Sequence, residues 1–284
     1  MAGGAAWLLP STVARRHERL PPSSASAAGP SLNCRAPCRV LLCAAGFFSA
    51  LLRRDDRAIS NPVRPPPPAG LLPAAGLSTL LELRAVDGVR GGRPLFKALS
   101  LRVAGGELLR VQGLNGAGKT SLLRMICGLM APAAGAICWR GQAIAAQRDD
   151  FNRELVYLGH AAALKDELSP RENLLAACTL GGSVPAPRDA AAALVQAGLR
   201  GRERLPSRML SQGQRKRAAL ARLVLAGGSA LWVLDEPFNA LDVDATAWLL
   251  GLLQAQLARG GVVVLTSHQS VTLAAAVRQQ VLTL

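Results

Sequence analysis

Residues 113–121 read Gly-Leu-Asn-Gly-Ala-Gly-Lys-Thr-Ser. They fit G-x-x-x-x-G-K-[ST], residue types that at this spacing hold the phosphates of a nucleotide. Gly113, Gly116 and Gly118 lack Cβ atoms, so the backbone can bend tightly and aim its N–H groups at an anion. Lys119 brings a point charge to the β- and γ-phosphates, and the Thr120 hydroxyl can ligate Mg²⁺. Asn115 and Ser121 complete the expected cofactor-binding set of this loop. A second stretch, Leu231-Trp-Val-Leu-Asp235-Glu236-Pro237, is an apolar run ending in two acids. Asp235 there suits a metal held through water, and Glu236 suits orienting and partly deprotonating an attacking water. A third, Leu210-Ser-Gln-Gly-Gln214 followed by Arg215-Lys-Arg217, opens a helix whose N-terminus, with Ser211 and Gly213, makes another anion-binding end.

The flanking residues predict the elements that position these groups. Glu107 to Gln112 reads as a buried strand, and Thr120 to Gly128 as an amphipathic helix presenting its positive end to the phosphates. Before them, Leu80 to Val86 and Leu99 to Val103 read as antiparallel strands around a Gly88–Pro94 turn, a small β-subdomain. Ala136 to Arg140 and Leu155 to Leu158 are further short strands. The pattern from Ser169 to Leu210 is helical, with Ser169 as cap, Pro170 at the first helical position and Glu172 in the first turn; Ala190 to Leu199 continues it. Then come a helix Gln214–Ala226, strand Leu231–Leu234, helix Ala245–Leu257, strand Val262–Leu265 and a last strand Val281–Leu284. Apolar strands alternating with helices predict an α/β fold, a largely parallel sheet covered on both faces.

With three motifs in this order the chain resembles the ATP-binding cassette (ABC) ATPases, whose L-S-G-G-Q signature stands here as Leu210-Ser211-Gln212-Gly213-Gln214. Asn239-Ala-Leu-Asp242 is similar to the family's D-loop, and His268, after the strand following the two acids, to its switch histidine. The resemblance covers about residues 78–284. It implies two ATP, with Mg²⁺, between two head-to-tail protomers, so that Ser211, Gly213 and Gln214 complete the site of the opposing subunit and Asp242 lies beside it. Catalysis falls to Glu236 and His268, and the metal to Thr120 and Asp235. Two positions depart from the family. His160, in Val156-Tyr-Leu-Gly-His160, stands where a glutamine is usual, which makes it a further candidate at the metal. Arg90 or Val89 replaces the usual adenine-stacking aromatic, and an Arg plane can stack instead. With Gly159-His160, Glu172-Asn173-Leu174, Leu234-Asp-Glu-Pro-Phe238 and Ser267-His268-Gln269, the chain most resembles the ATP-binding subunits of bacterial cytochrome c maturation (haem exporter) complexes. That implies an ATP hydrolase docking a separate transmembrane permease on its helical subdomain (about residues 160–212), at the cytoplasmic face of the inner membrane. The ATPase of another exporter, for a drug or a lipid, is the nearest rival; a soluble ABC protein of DNA repair or translation would need a long coiled coil or a second cassette.

The composition agrees with this picture. The formal net charge is +15 over 284 residues. Residues 1–75 hold nine arginines against Glu18, Asp55 and Asp56, so about +6 of the excess is theirs. The remainder is scattered and aromatics make up 4%, so no stacking platform for nucleic acid emerges. Residues 1–76, rich in Ala, Pro, Ser and Arg, predict a low-complexity, disordered extension translated from a start upstream of the natural one. Its apolar run Val40–Leu52 is shorter than the about 20 residues a bilayer span needs. Cys127, Cys138 and Cys178 stand singly in apolar surroundings and predict reduced core residues. Little chain follows the last expected strand, so no C-terminal regulatory domain is expected.

Overall fold

The computed structural model describes residues 78–267, 273 and 277–284. The expected extension, with Cys34, Cys38 and Cys43, and the expected switch residue His268 lie outside the described residues. Strands β1 (Thr79–Arg90) and β2 (Arg93–Ala104) form an antiparallel hairpin leading into β3 (Glu107–Gln112), after which helix α1 (Lys119–Ile126) follows the glycine-rich loop. β4 (Ala134–Trp139) and the two-residue β5 (Gln142–Ala143) complete a four-stranded sheet of order β2-β1-β4-β5. Helix α2 (Arg148–Glu154), β6 (Leu155–Leu158), α3 (Pro170–Leu180), α4 (Pro187–Gln196), α5 (Gln212–Leu220), α6 (Arg222–Leu225), β7 (Leu231–Leu234), α7 (Val243–Ala258), β8 (Val262–Thr266) and β9 (Arg278–Thr283) follow. The second sheet is parallel, with order β6-β7-β8-β3-β9.

Period-2 alternation sorts the parallel strands between two cores. Leu109, Val111, Leu231, Val233, Val262 and Val264 face α1 and the antiparallel sheet, packing on Leu122, Met125, Leu83 and Ile137. The intervening Leu108, Trp232, Leu234, Val263 and Leu265 face the other way, onto Leu249, Leu253 and Leu257 of α7 and onto Leu220 and Leu223. Burial on both faces explains why these strands read as continuous apolar runs. A third cluster joins α3, α4 and α5 through Leu174, Cys178, Ala193, Leu194 and Ala218. The three described cysteines are buried and free, as core residues should be.

The sequence expectation contained neither α2 nor β5, and four further elements differ from it. The first hairpin runs to Arg90↔Arg93 because Gly91 and Gly92 both take positive φ (58° and 77°), the two-residue turn that matches strand twist; the wide turn over 88–94 does not exist. The signature helix starts two residues earlier than expected, at Gln212, where Ser211 caps it. It also breaks at Ala221, where Ala221 N bonds Arg217 O and Val224 N bonds Ala221 O, tightening the last turn. Helical residues between 169 and 210 are confined to α3, α4 and one short 3-10 turn at Ser207–Met209. β9 begins three residues early, at Arg278, because its polar start Arg278-Gln279-Gln280 pairs with Glu107-Leu108-Leu109 as an edge strand, and edge positions need not be apolar.

Candidate functional site

The C-terminal ends of β7, β8 and β3 lie side by side, with Leu234 opposite Leu265 and Thr266 opposite Val111. Ligands of open parallel sheets bind at this edge. From β3 the chain turns through Gly113 and Gly116 into α1, whose cap, Gly118, has φ 106° and leaves the helix start without a side-chain cap. The first-turn N–H groups therefore remain for an anion. Lys119 is buried, and its Nζ donates to Gly113 O (2.8 Å) and Leu114 O (3.1 Å). Its ammonium is thereby folded back over the loop it follows. Asn115 and Ser121 lie on the same loop and helix; Ser121 is buried.

The two acids at the end of β7 are placed differently from each other. Asp235, 3% exposed, receives a hydrogen bond from Thr120 Oγ1 on Oδ2 (2.9 Å) and one from Thr266 Oγ1 on Oδ1 (2.7 Å). One carboxylate thus joins the phosphate loop to the end of β8. Glu236 has φ 47°, a left-handed conformation costing an L-residue about 1–2 kcal/mol. Its N–H donates to Thr266 Oγ1 (2.8 Å), which holds that turn in place. On its carboxylate, Oε2 accepts from Asn239 Nδ2 and lies 3.6 Å from His160 Nδ1. His160, at the end of β6, is exposed, with Asp235 N bonded to Leu158 O beside it.

The Ser211 turn is built separately. Ser211 Oγ accepts from Gln214 N (3.3 Å) while Gln214 Oε1 accepts from Ser211 N (3.1 Å), a reciprocal cap. Arg202 Nη1 also donates to Gln214 (3.1 Å). A Cβ on Gly213 would lie 2.7 Å from Ala240 O, so glycine permits the close packing of α5 on the 239–242 loop. Asp242 caps α7 through Ala245 N (2.8 Å) and approaches Arg217 Nη1 at 3.7 Å. Around Thr120 and Asp235 the surface opens into a cleft of about 580 Å³, floored by Arg124 and Tyr157 and walled by Ala161, Ala162, Ala163 and Ala177. From α5 it receives Lys216 and residues beyond, whereas the Ser211–Gln214 turn does not line it. The structure joins Thr120, Asp235, Glu236 and His160 through Thr266 and one close approach, with Lys119 preceding Thr120, and packs Ser211, Gly213, Gln214 and Asp242 around the 239–242 loop.

Sequence reasoning missed Thr266 and Lys216. A hydroxyl ending the apolar run Val262-Val-Val-Leu-Thr266 is the available signal for the first, since polar strand ends face ligands. Its role gives a test. Thr266→Val keeps the shape but leaves the buried Asp235 oxygen and the Glu236 N–H unmet, at about 1–3 kcal/mol per group. We expect the melting temperature to fall by at least about 4 °C, with Thr266→Ser close to the parent in calorimetry; equal melting of Val and Ser variants would contradict the role.

The arrangement brings a phosphate-type loop, a hydroxyl, a carboxylate and a second carboxylate to one sheet edge, the equipment for phosphoryl transfer to water. Comparisons with known proteins agree. The family model described as ABC transporter matches residues 96–239. The cytochrome c biogenesis ATP-binding export protein CcmA of Dechloromonas aromatica is 54% identical over 196 residues, 69% of this chain and 96% of that protein. The protein of the same description from Nitrosomonas europaea is 47% identical over 194 residues, 68% of this chain and 91% of its own length. Among solved structures, the ATP-binding subunit of an ABC transporter superposes with a TM-score of 0.60 at 28% identity, covering 67% of this chain and 80% of that one.

Proposed function

Because the chain belongs to the ABC transporter family, and within it to the cytochrome c biogenesis ATP-binding export proteins, we propose that it is the energy-coupling ATPase of a haem-export complex. The observation that carries this reading is the Asp235 clamp, which ties phosphate-loop Thr120 to the strand end that orients Glu236. In this reading the 113–118 loop and Lys119 bind the β- and γ-phosphates of ATP. Thr120 and Asp235 fit Mg²⁺: an alcohol and a carboxylate oxygen 2.9 Å apart are the hard donors this ion takes. When bound, Mg²⁺ neutralises charge developing on the phosphates.

Glu236 accepts a proton from the water that attacks the γ-phosphorus, and ADP departs as leaving group. Asn239 donates to Oε2 of that carboxylate and His160 lies 3.6 Å from the same oxygen, which makes His160 a further candidate at the metal. His268 is assigned to the γ-phosphate on the family's pattern. Ser211, Gly213 and Gln214 serve the second nucleotide, in a homodimer closing on two ATP with Asp242 at the contact.

No helix among the described residues is long and apolar enough to cross a membrane. The work of closure is therefore assigned to a separate permease of the cytochrome c maturation type, docked over the cleft near residues 160–174, with the ATPase peripheral on the cytoplasmic face of the bacterial inner membrane. Affinity purification of the tagged chain from detergent-solubilised membranes tests this. We expect such a permease to accompany it; recovery with a permease of a different exporter class would overturn the haem assignment.

A further inference from the structure

Helix α5 carries Ser211 at its cap and, five residues on, the buried Lys216. Lys216 is 8% exposed and lines the same cleft as Thr120 and Asp235. An ammonium in so dry a place needs opposing charge nearby. Burial lowers its pKa, and the charges of Asp235 and Glu236 act in the opposite direction. The other basic side chains on this cleft are Arg124, Arg222 and His160. Asp235 already receives two hydroxyl hydrogen bonds, so Lys216 acts on the pair by charge.

We propose that Lys216 is a built-in counter-cation of the Asp235–Glu236 pair that competes with the divalent ion of the nucleotide complex and so sets how much Mg²⁺ the site requires. This rests on the reading of Asp235 as the metal-side carboxylate. A fixed positive charge beside an ion site opposes the ion. By reciprocity, the ion weakens the pair's hold on Lys216 and thus on the helix that bears Ser211.

The test is a Mg²⁺ titration of binding of a non-hydrolysable ATP analogue to the full chain, followed by calorimetry at pH 8. Lys216→Met should lower the half-saturating Mg²⁺ about fivefold, the small end of site-to-site coupling, and Lys216→Arg should match the parent. If Lys216→Met does not fold, Lys216→Gln, polar but uncharged, must show the same drop. A merely structural lysine would lower the melting temperature of the uncharged variants and leave the Mg²⁺ midpoint in place, which overturns the proposal. Asp235→Asn separates the two readings. If it raises the midpoint while Lys216 variants do not move it, only the counter-cation role fails; if it has no effect, the metal-side assignment of Asp235 fails with it.

Discussion

We expect Lys119→Ala to abolish ATP binding, and Glu236→Gln to bind ATP as the parent does while hydrolysing it about 10²–10⁴ times more slowly. The difference follows from where the two side chains end. Lys119 is buried in the loop, its ammonium against the carbonyls of Gly113 and Leu114. On the proposed reading, removing it takes away the loop's positive charge for the phosphates and leaves those carbonyls without their donor. Glu236 is held differently. Its carboxylate is engaged by Asn239 and lies beside His160, and its backbone bond to Thr266 survives a change of side chain. Glutamine keeps the shape and the Asn239 contact but cannot take a proton, so binding persists while the chemical step slows. Equilibrium nucleotide binding and phosphate release, measured on the same preparations, separate the two effects. Equal loss of binding in both variants would remove Glu236 from the role of base.

The second large effect concerns two chains at once. Lys119→Ala and Ser211→Arg should each be inactive alone and regain ATPase on mixing, because in a head-to-tail heterodimer one composite site carries both defects and the other none. The geometry within one chain motivates this expectation. The Ser211 turn is capped on itself through Gln214 and packs on the 239–242 loop through Gly213. α5 is held in its orientation by the Gly213–Ala240 approach and by Arg217 near Asp242. In the proposed head-to-tail dimer this N-terminus would meet a nucleotide held by the other chain. If both sites must fire together, mixing fails to restore turnover, so cross-linking is decisive. Cysteines at the exposed positions Leu114 and Gln212, with Cys34, Cys38 and Cys43 replaced by serine and Glu236→Gln present to slow turnover, should join two chains only when ATP and Mg²⁺ are added. A link formed within a single chain would refute the head-to-tail arrangement.

What the sequence by itself determined is what is written in neighbouring residues. The phosphate loop needs glycines and a lysine at fixed offsets, and all of them lie within nine positions. The cap of α3 is local in the same way: Ser169 and Glu172 form the reciprocal cap their spacing predicts. Buried strands were legible because burial on both faces demands unbroken apolar runs, and the edge strand β9 was misjudged at its start because its first residues escape that demand. Only the tertiary structure decided which strand ends meet. β3, β7 and β8 are distant in sequence and adjacent in the sheet, and the Asp235–Thr266 and Thr120–Asp235 bonds span 31 and 115 residues. No periodicity encodes that order, since any parallel order of these strands would bury the same apolar faces. For the same reason Lys216 reads in the sequence as one member of a basic run; the packing of α5 buries it on the cleft that Asp235 also lines, while its neighbours Arg215 and Arg217 turn to Asp166 and Asp242. Charge at a site is a property of distance in space, and that distance exists only once the chain has folded.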